Sequence, residues 1–153
     1  MAGRSPQRAQ IDPKARIQVG IILDADVVIR GERGELDLRA WLASHPNDEF
    51  EIAAVTVAEL WHGVERATPP HRLRRAQYLR AILDVFPVVP YTKEIAYEHA
   101  RLWALLESAG TMIGAYDLIV AATALDRDSA IATYNQRHFS RVRGLRILQP
   151  GKD

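Results

Sequence analysis

A chain of 153 residues, 48% hydrophobic and 25% charged, is long enough for one domain with a real core. Its net charge of +1 excludes a global field that would attract nucleic acid, so any such contact must rest on local basic clusters. The absence of cysteine excludes thiol nucleophiles, disulfides and cysteine-ligated zinc, and no apolar run reaches the ~18 residues of a membrane span.

Residues 1–15 are polar, with Pro6 and Pro13, and read as a flexible N-terminal leader; one domain is expected over 16–150. The first strand is expected from Arg16 to Leu23, inside a run whose core is Ile21–Ile29. Three apolar residues enter Asp24 and Asp26 and three follow, the pattern of a strand buried in a parallel sheet. A helical region is expected from Val27, interrupted at Gly31 and Gly34, and residues 45–48 form a loop. A second strand runs from Glu51 to Val55 and a helix from Thr56 to Ala67, stopped before Pro69-Pro70, with Gly63 allowing close helix packing. The next helix, His71 to Val85, has an apolar stripe of Leu73, Ala76, Leu79 and Leu83, with Arg72, Arg74, Arg75 and Arg80 mostly off it. A short strand over Phe86–Val89 precedes a helix over Thr92–Ala109, N-capped by Thr92 and ended at Gly110, with Ile95, His99, Leu102 and Leu106 on its inner face. Ala115–Leu125 is apolar nearly all round and reads as a helix buried on several sides. A fourth strand over Ser129–Thr133, a basic helix or turn over Asn135–Val142 and a last strand over Leu145–Leu148 complete the chain. Strands alternating with helices imply an α/β fold: one parallel β-sheet of 4–5 short strands with helices on both faces.

The chemistry-bearing residues are acids. Ligands bind beyond the carboxyl ends of strands in such sheets. Two carboxylates at one strand end repel each other and are costly to desolvate, and a divalent cation removes both costs. Each acid also has an ordinary reading. Asp24 or Asp26 alone would serve as a helix cap, and Thr56-x-x-Glu59 matches a capping box. Asp117 gains ~0.3–1 kcal/mol from the dipole of its helix, less than a carboxylate in apolar surroundings costs unpaired. Asn135 ends a strand as a turn residue, and the cluster Arg137, His138, Arg141 and Arg143 also fits a solvated face.

Taken together, I-L-D24-A-D26-V-V-I, T56-V-A-E59-L-W-H-G63-V-E-R-A, Y116-D117-L-I-V-A-A-T-A-L and A-T133-Y-N135-Q-R-H-F139 resemble a PIN-domain ribonuclease, most closely the VapC-type toxin of bacterial toxin–antitoxin pairs. The resemblance covers about Val19 to Leu148. It implies a single PIN-like domain that is a metal-dependent endoribonuclease, cleaving RNA phosphodiester bonds by metal-activated water. Asp24, Glu59 and Asp117 fall on its three acidic positions and would be catalytic and hold Mg²⁺ or Mn²⁺, with Asp26 and Asn135 as further candidates. Asp26 departs from the family's usual Ser, Thr or Asn, and Asn135 from its usual Asp, which leaves open whether one or two ions bind. Arg137, His138, Arg141 and Arg143, with Arg72 and Arg75 as a second patch, would contact RNA. The resemblance further implies a cognate VapB-type antitoxin as partner, a homodimer, and a cytoplasmic location away from membranes.

Two other functions compete. I-I-L-D24-A-D26-V-V also resembles the first motif of haloacid-dehalogenase-type phosphatases, with Asp24 as nucleophile and Asp26 as acid/base. Val27 stands where that family has a small residue, and Asp126 and Asp128 follow a helix rather than a strand. The third reading is a PIN-like RNA- or protein-binding domain without activity.

Overall fold

A computed structural model describes residues 19–152. The leader expected over 1–15, and the start of the first strand expected at Arg16, lie outside them. Five parallel strands form one sheet in the order β3-β2-β1-β4-β5, with β1 at Gly20–Leu23, β2 at Glu49–Ala53, β3 at Val88–Val89, β4 at Ala130–Ala132 and β5 at Ile147–Leu148. The chain builds outward from β1 through β2 to β3, then crosses to β4 on the other side of β1. The β1–β4 boundary is therefore the switch point, where a crevice opens beyond the strands' carboxyl ends.

Helices α1 (Ala25–Glu32) and α2 (Leu38–Ala43) follow β1. Helices α3 (Ala54–Arg66) and α4 (Pro69–Val85) follow β2. Helices α5 (Lys93–Ser108) and α6 (Ala115–Asp126) follow β3, and the single turn α7 (Gln136–Phe139) follows β4. Alternation along the strands sends Ile22 and Ile131 into one core with Leu102, Leu106, Leu118 and Ala121 of α5 and α6. Ile21, Leu23, Ala130 and Ala132 face the other core, with Val27, Leu38 and Trp41. A third cluster, Val28, Leu60, Val64, Ala76 and Leu79, glues α1 to α3 and α4. As its all-round apolar pattern requires, α6 buries Leu118 and every residue from Val120 to Ala124. No helix among the described residues is long and apolar enough to cross a membrane.

Several local expectations are corrected. Helix α1 starts at Ala25, two residues before Val27, so Asp26 lies in its first turn and not at a strand end. Helix α3 starts at Ala54, directly after β2, with Ala53 at the cap position and no side-chain cap. The capping box is therefore absent: Thr56 lies inside the helix, and its buried Oγ1 has no hydrogen-bond partner. Pro69 and Pro70 do not merely stop α3; they open α4, where a missing N–H costs nothing. Leu73 is 62% exposed and drops out of the α4 stripe, while Ala76 and Leu79 are buried and Leu83 packs partly buried against the core. A Cβ on Gly63 would meet nothing within 4 Å, so this glycine lines open space instead of a tight helix contact. His99 is only half-buried; its Nδ1 lies 2.9 Å from the Tyr91 hydroxyl and its ring stacks on Trp103. Thr92 does cap α5, accepting from the Ile95 amide.

Candidate active site

The acids gather at the switch point because three elements end or begin there. Asp24 directly follows β1, and its own N–H continues the ladder to the Ala132 carbonyl at 3.0 Å. Its backbone then turns into α1, where it is the N-cap, with Oδ1 accepting from the Ala25 amide at 2.9 Å. Its Oδ2 accepts from the Thr133 hydroxyl at 2.8 Å across the β1–β4 boundary. Only 6% of Asp24 is exposed. Burial, reinforced by the Asp26 charge and more weakly by Asp117, pushes its carboxyl from 3.8 to about 7 against the pull of its hydrogen bonds.

Asp26 turns back to the same place. Its Oδ2 accepts from the Tyr134 amide at 3.0 Å and lies 3.3 Å from Thr133 Oγ1. Its Oδ1 is buried and has no hydrogen-bond partner. Burial raises its pKa, while the amide and hydroxyl contacts and the Arg30 guanidinium oppose the rise. Arg30, one turn along α1, lies 4.0 Å over the Tyr134 ring. Thr133 carries one hydroxyl proton and sits between two carboxylates, so it donates to one at a time. The shorter contact is to Asp24, and the same oxygen accepts from the Asn135 amide at 3.0 Å.

Glu59 projects from α3 and is half-buried. Burial raises its pKa first, then the charges of Asp117 and Asp26. It lines a cavity of about 620 Å³ together with Ile29, Glu32, Gly63, Arg75 and Tyr78. Asp117 lies in the first turn of α6, its Oδ2 being 3.2 Å from Asn135 Nδ2 and 3.4 Å from His138 Nδ1. Asp24 thus feels the charges of Asp26 and Asp117, and Glu59 those of Asp117 and Asp26. As they stand, however, no group of three or more Asp, Glu, His or Cys side chains among the described residues is gathered tightly enough to hold an ion. A hard divalent cation fits what they lack. It would relieve carboxylates whose pKa values burial raises, and it would give Asp26 Oδ1 a partner.

The basic candidates divide. Arg137 and Arg143 are exposed. His138 does not stand with them; it turns onto Asp117 and Asn135. Arg141 is spent on the Met112 carbonyl at 2.7 Å, bracing the turn that leads into α6. Arg72 donates to the Glu65 carbonyl, and Arg75 to the Gly63 carbonyl, while lying 3.8 Å from Glu32. Sequence reasoning missed Thr133, the Tyr134 amide and Arg30 as parts of the site. The available signal was a hydroxyl residue directly after β4, at the switch point. Asp126 ends α6 and Asp128 sits in the turn before β4, at the opposite end of the sheet from Asp24, which leaves the phosphatase pattern without its late acids.

The chain matches the PIN domain family over residues 21–145. It is 29% identical over 131 residues to Ribonuclease VapC1 of Rickettsia felis, covering 85% of this chain and 96% of that protein. It is 34% identical over 120 residues to Ribonuclease VapC10 of Mycobacterium tuberculosis, covering 78% and 85%. Its fold superimposes with a TM-score of 0.68 and 28% identity on VapBC-5 from Mycobacterium tuberculosis, a member of the VapBC family of toxin–antitoxin systems, covering 86% of this chain and 98% of that one. On sequence and on fold, the chain belongs to the PIN-domain family and, within it, to the VapC ribonucleases.

Proposed function

We propose that this protein is a divalent-metal-dependent endoribonuclease and the toxin of a toxin–antitoxin pair. The observation that carries the reading is the convergence of Asp24, Asp26, Glu59 and Asp117 at one switch point, three of them with pKa values raised and one with a buried orphan oxygen. Asp24, Glu59 and Asp117 would hold Mg²⁺ or Mn²⁺, and Asp26 would join through Oδ1. When bound, the ion makes water more acidic and offsets charge developing on the phosphate. The protein supplies the geometry. Thr133 fixes the spacing of Asp24 and Asp26, and the Ala25 amide locks the Asp24 rotamer. Glu59, which lines the cavity, would accept the proton that the attacking water gives up. Arg137 and Arg143 stand exposed after β4 to meet RNA phosphates.

The antitoxin partner is supported by the toxin–antitoxin membership of the solved relative. A second groove of about 530 Å³, lined by Leu36, Leu42, Ala81, Ile82 and Val85, offers it an apolar seat. Cleavage assays on wild type and Asp117→Ala test the activity. Wild type cleaves RNA with Mg²⁺ or Mn²⁺ and leaves a 5′-phosphate and a 3′-hydroxyl, because water and not the ribose 2′-hydroxyl attacks phosphorus. Asp117→Ala stays folded by circular dichroism and loses at least about 10-fold in rate, since losing a direct ligand costs no less than losing an outer-shell one. Full activity in Asp117→Ala, or a 2′,3′-cyclic phosphate in the products, refutes the reading.

A further inference from the structure

Beside the acids stands a cation whose donors the protein leaves unused. Arg30 follows Asp26 by four residues in α1, so the two side chains leave one face of the helix. Its guanidinium carbon lies 4.0 Å over the ring of Tyr134, the residue whose amide donates to Asp26. Among the described residues that guanidinium makes no hydrogen bond. Its ion pair with Glu35 spans 3.9 Å, too long for a hydrogen bond, and 44% and 48% of the two side chains are exposed, so the pair holds it weakly. Five N–H donors are therefore free for an acceptor from outside. An ordinary helix-end role, offsetting the dipole at the C-terminus of α1, uses the charge but has no need of the ring.

We propose that Arg30, held on the Tyr134 ring, grips the RNA backbone at a phosphate next to the one that is cleaved. The ring fixes the charge in place. Tyr134 packs against the core cluster of Ile21, Leu23, Val27 and Trp41, and its amide is tied to Asp26, so it is a firm shelf. The guanidinium of α1 rests on this shelf after β4, which carries it across the β1–β4 boundary with its N–H edges open. A planar fork held in this way matches two oxygens of one phosphate. Charge explains why such a grip is needed. Asp24, Asp26, Glu59 and Asp117 together repel a polyanion, and a strand held only at the reacting phosphate would be pushed off on either side. Arg30 lies at the rim of these acids, near enough for its charge to oppose the rise in the Asp26 pKa. Arg30 is thus a contact residue, and Tyr134 a positioning residue that acts through it. The choice of phosphate rests on the nuclease reading; the contact with RNA does not.

Two measurements on the full chain test this. In chelator, where the strand stays whole, a labelled single-stranded oligoribonucleotide is bound across a salt series and followed by fluorescence anisotropy. Arg30→Met flattens the slope of log affinity against log salt by about 0.7, the share of one single-strand phosphate contact, and weakens binding about tenfold at low salt. Tyr134→Phe keeps the ring and binds like wild type. Tyr134→Leu weakens binding but adds nothing to Arg30→Met, because the ring acts only through the guanidinium. With Mn²⁺ present, Arg30→Met raises KM for cleavage and leaves kcat near wild type, as loss of uniform binding requires. An unchanged salt slope in Arg30→Met overturns the inference, and so do additive losses in the double variant or a wild type that binds no RNA. If Tyr134→Leu fails to fold, the Arg30→Met slope decides. RNA held through Arg30 but never cleaved would keep the contact and remove the nuclease reading, whereas cleavage indifferent to Arg30 would do the reverse.

Discussion

Replacing Asp24 with Asn removes a charge and almost nothing else. The carboxyl is 6% exposed and its pKa stands at about 7 against 3.8 in the unfolded chain. At ~1.4 kcal/mol per pH unit between those values, charging it in the native protein costs about 4 kcal/mol. The sign follows from the raised value. Below pH ~4 both states hold the proton and the native state keeps its full stability. Between there and pH ~7 the unfolded chain ionises first and the native state loses ground. Above pH 7 the loss is complete and constant. Asn is neutral throughout and fits the same bonds: its Oδ1 accepts from the Ala25 amide, and its Nδ2 donates to Thr133 Oγ1, which then donates to Asp26. In chelator, urea denaturation finds Asp24→Asn close to wild type at pH 4 and up to about 4 kcal/mol more stable at pH 8. The midpoint shifts by about 2 M for a slope near 2 kcal/mol/M. A divalent ion at ~100 times its Kd returns about 2.7 kcal/mol to wild type and little to the variant. A difference that is the same at pH 4 and pH 8, or a less stable Asn variant at pH 8, would refute the argument.

Thr133→Val keeps the shape of a fully buried side chain but strands Asp24 Oδ2 and the Asn135 amide; at about 1–3 kcal/mol for each unsatisfied group, it destabilises the protein by about 2–6 kcal/mol at pH 8. The loss is smaller at pH 5, where Asp24 is protonated and no buried charge is left without its donor, and a urea midpoint unchanged at both pH values counts against the bridging role. Arg137→Glu weakens RNA binding and flattens the slope of log affinity against log salt by about 0.7 or more, the share of one single-strand phosphate contact. An unchanged slope in filter binding across a salt series returns Arg137 to a merely solvated position.

The order of elements and the two anchoring acids were legible because each had a strong local signal. Asp24 interrupts an apolar strand, and Asp117 sits in the most apolar helix of the chain, where a carboxylate is expensive. The start of α3 was not legible. No Gly, Pro or capping side chain separates Ala53 from Ala54, and Val55, Thr56 and Val57 suit a strand as well as a helix. The apparent capping box was a coincidence of spacing, since Thr56 lies inside the helix. The pairing of Asp26 with Thr133 was hidden for another reason. Their roles arise across the β1–β4 boundary, between residues 107 positions apart, and no local pattern encodes such a contact. His138 read as one more basic residue because sequence shows charge but not direction, and only the tertiary fold turns it onto Asp117.

The seamless passage from β2 at Ala53 into α3 at Ala54 limits where this chain can change length. A helix turns 100° and rises 1.5 Å for each residue, so one residue added at that junction would swing a carboxylate about 5.5 Å from the axis through roughly 8 Å. Glu59 would leave the acids while every strand stayed paired. The segment 33–37 between α1 and α2, and the segment 109–114 before α6, have slack that the 53–54 junction lacks. Gaps in alignments to relatives that keep the three acids should therefore gather in those two segments and be missing at the junction, so that spacing from β2 to Glu59 is inherited as strictly as the glutamate itself.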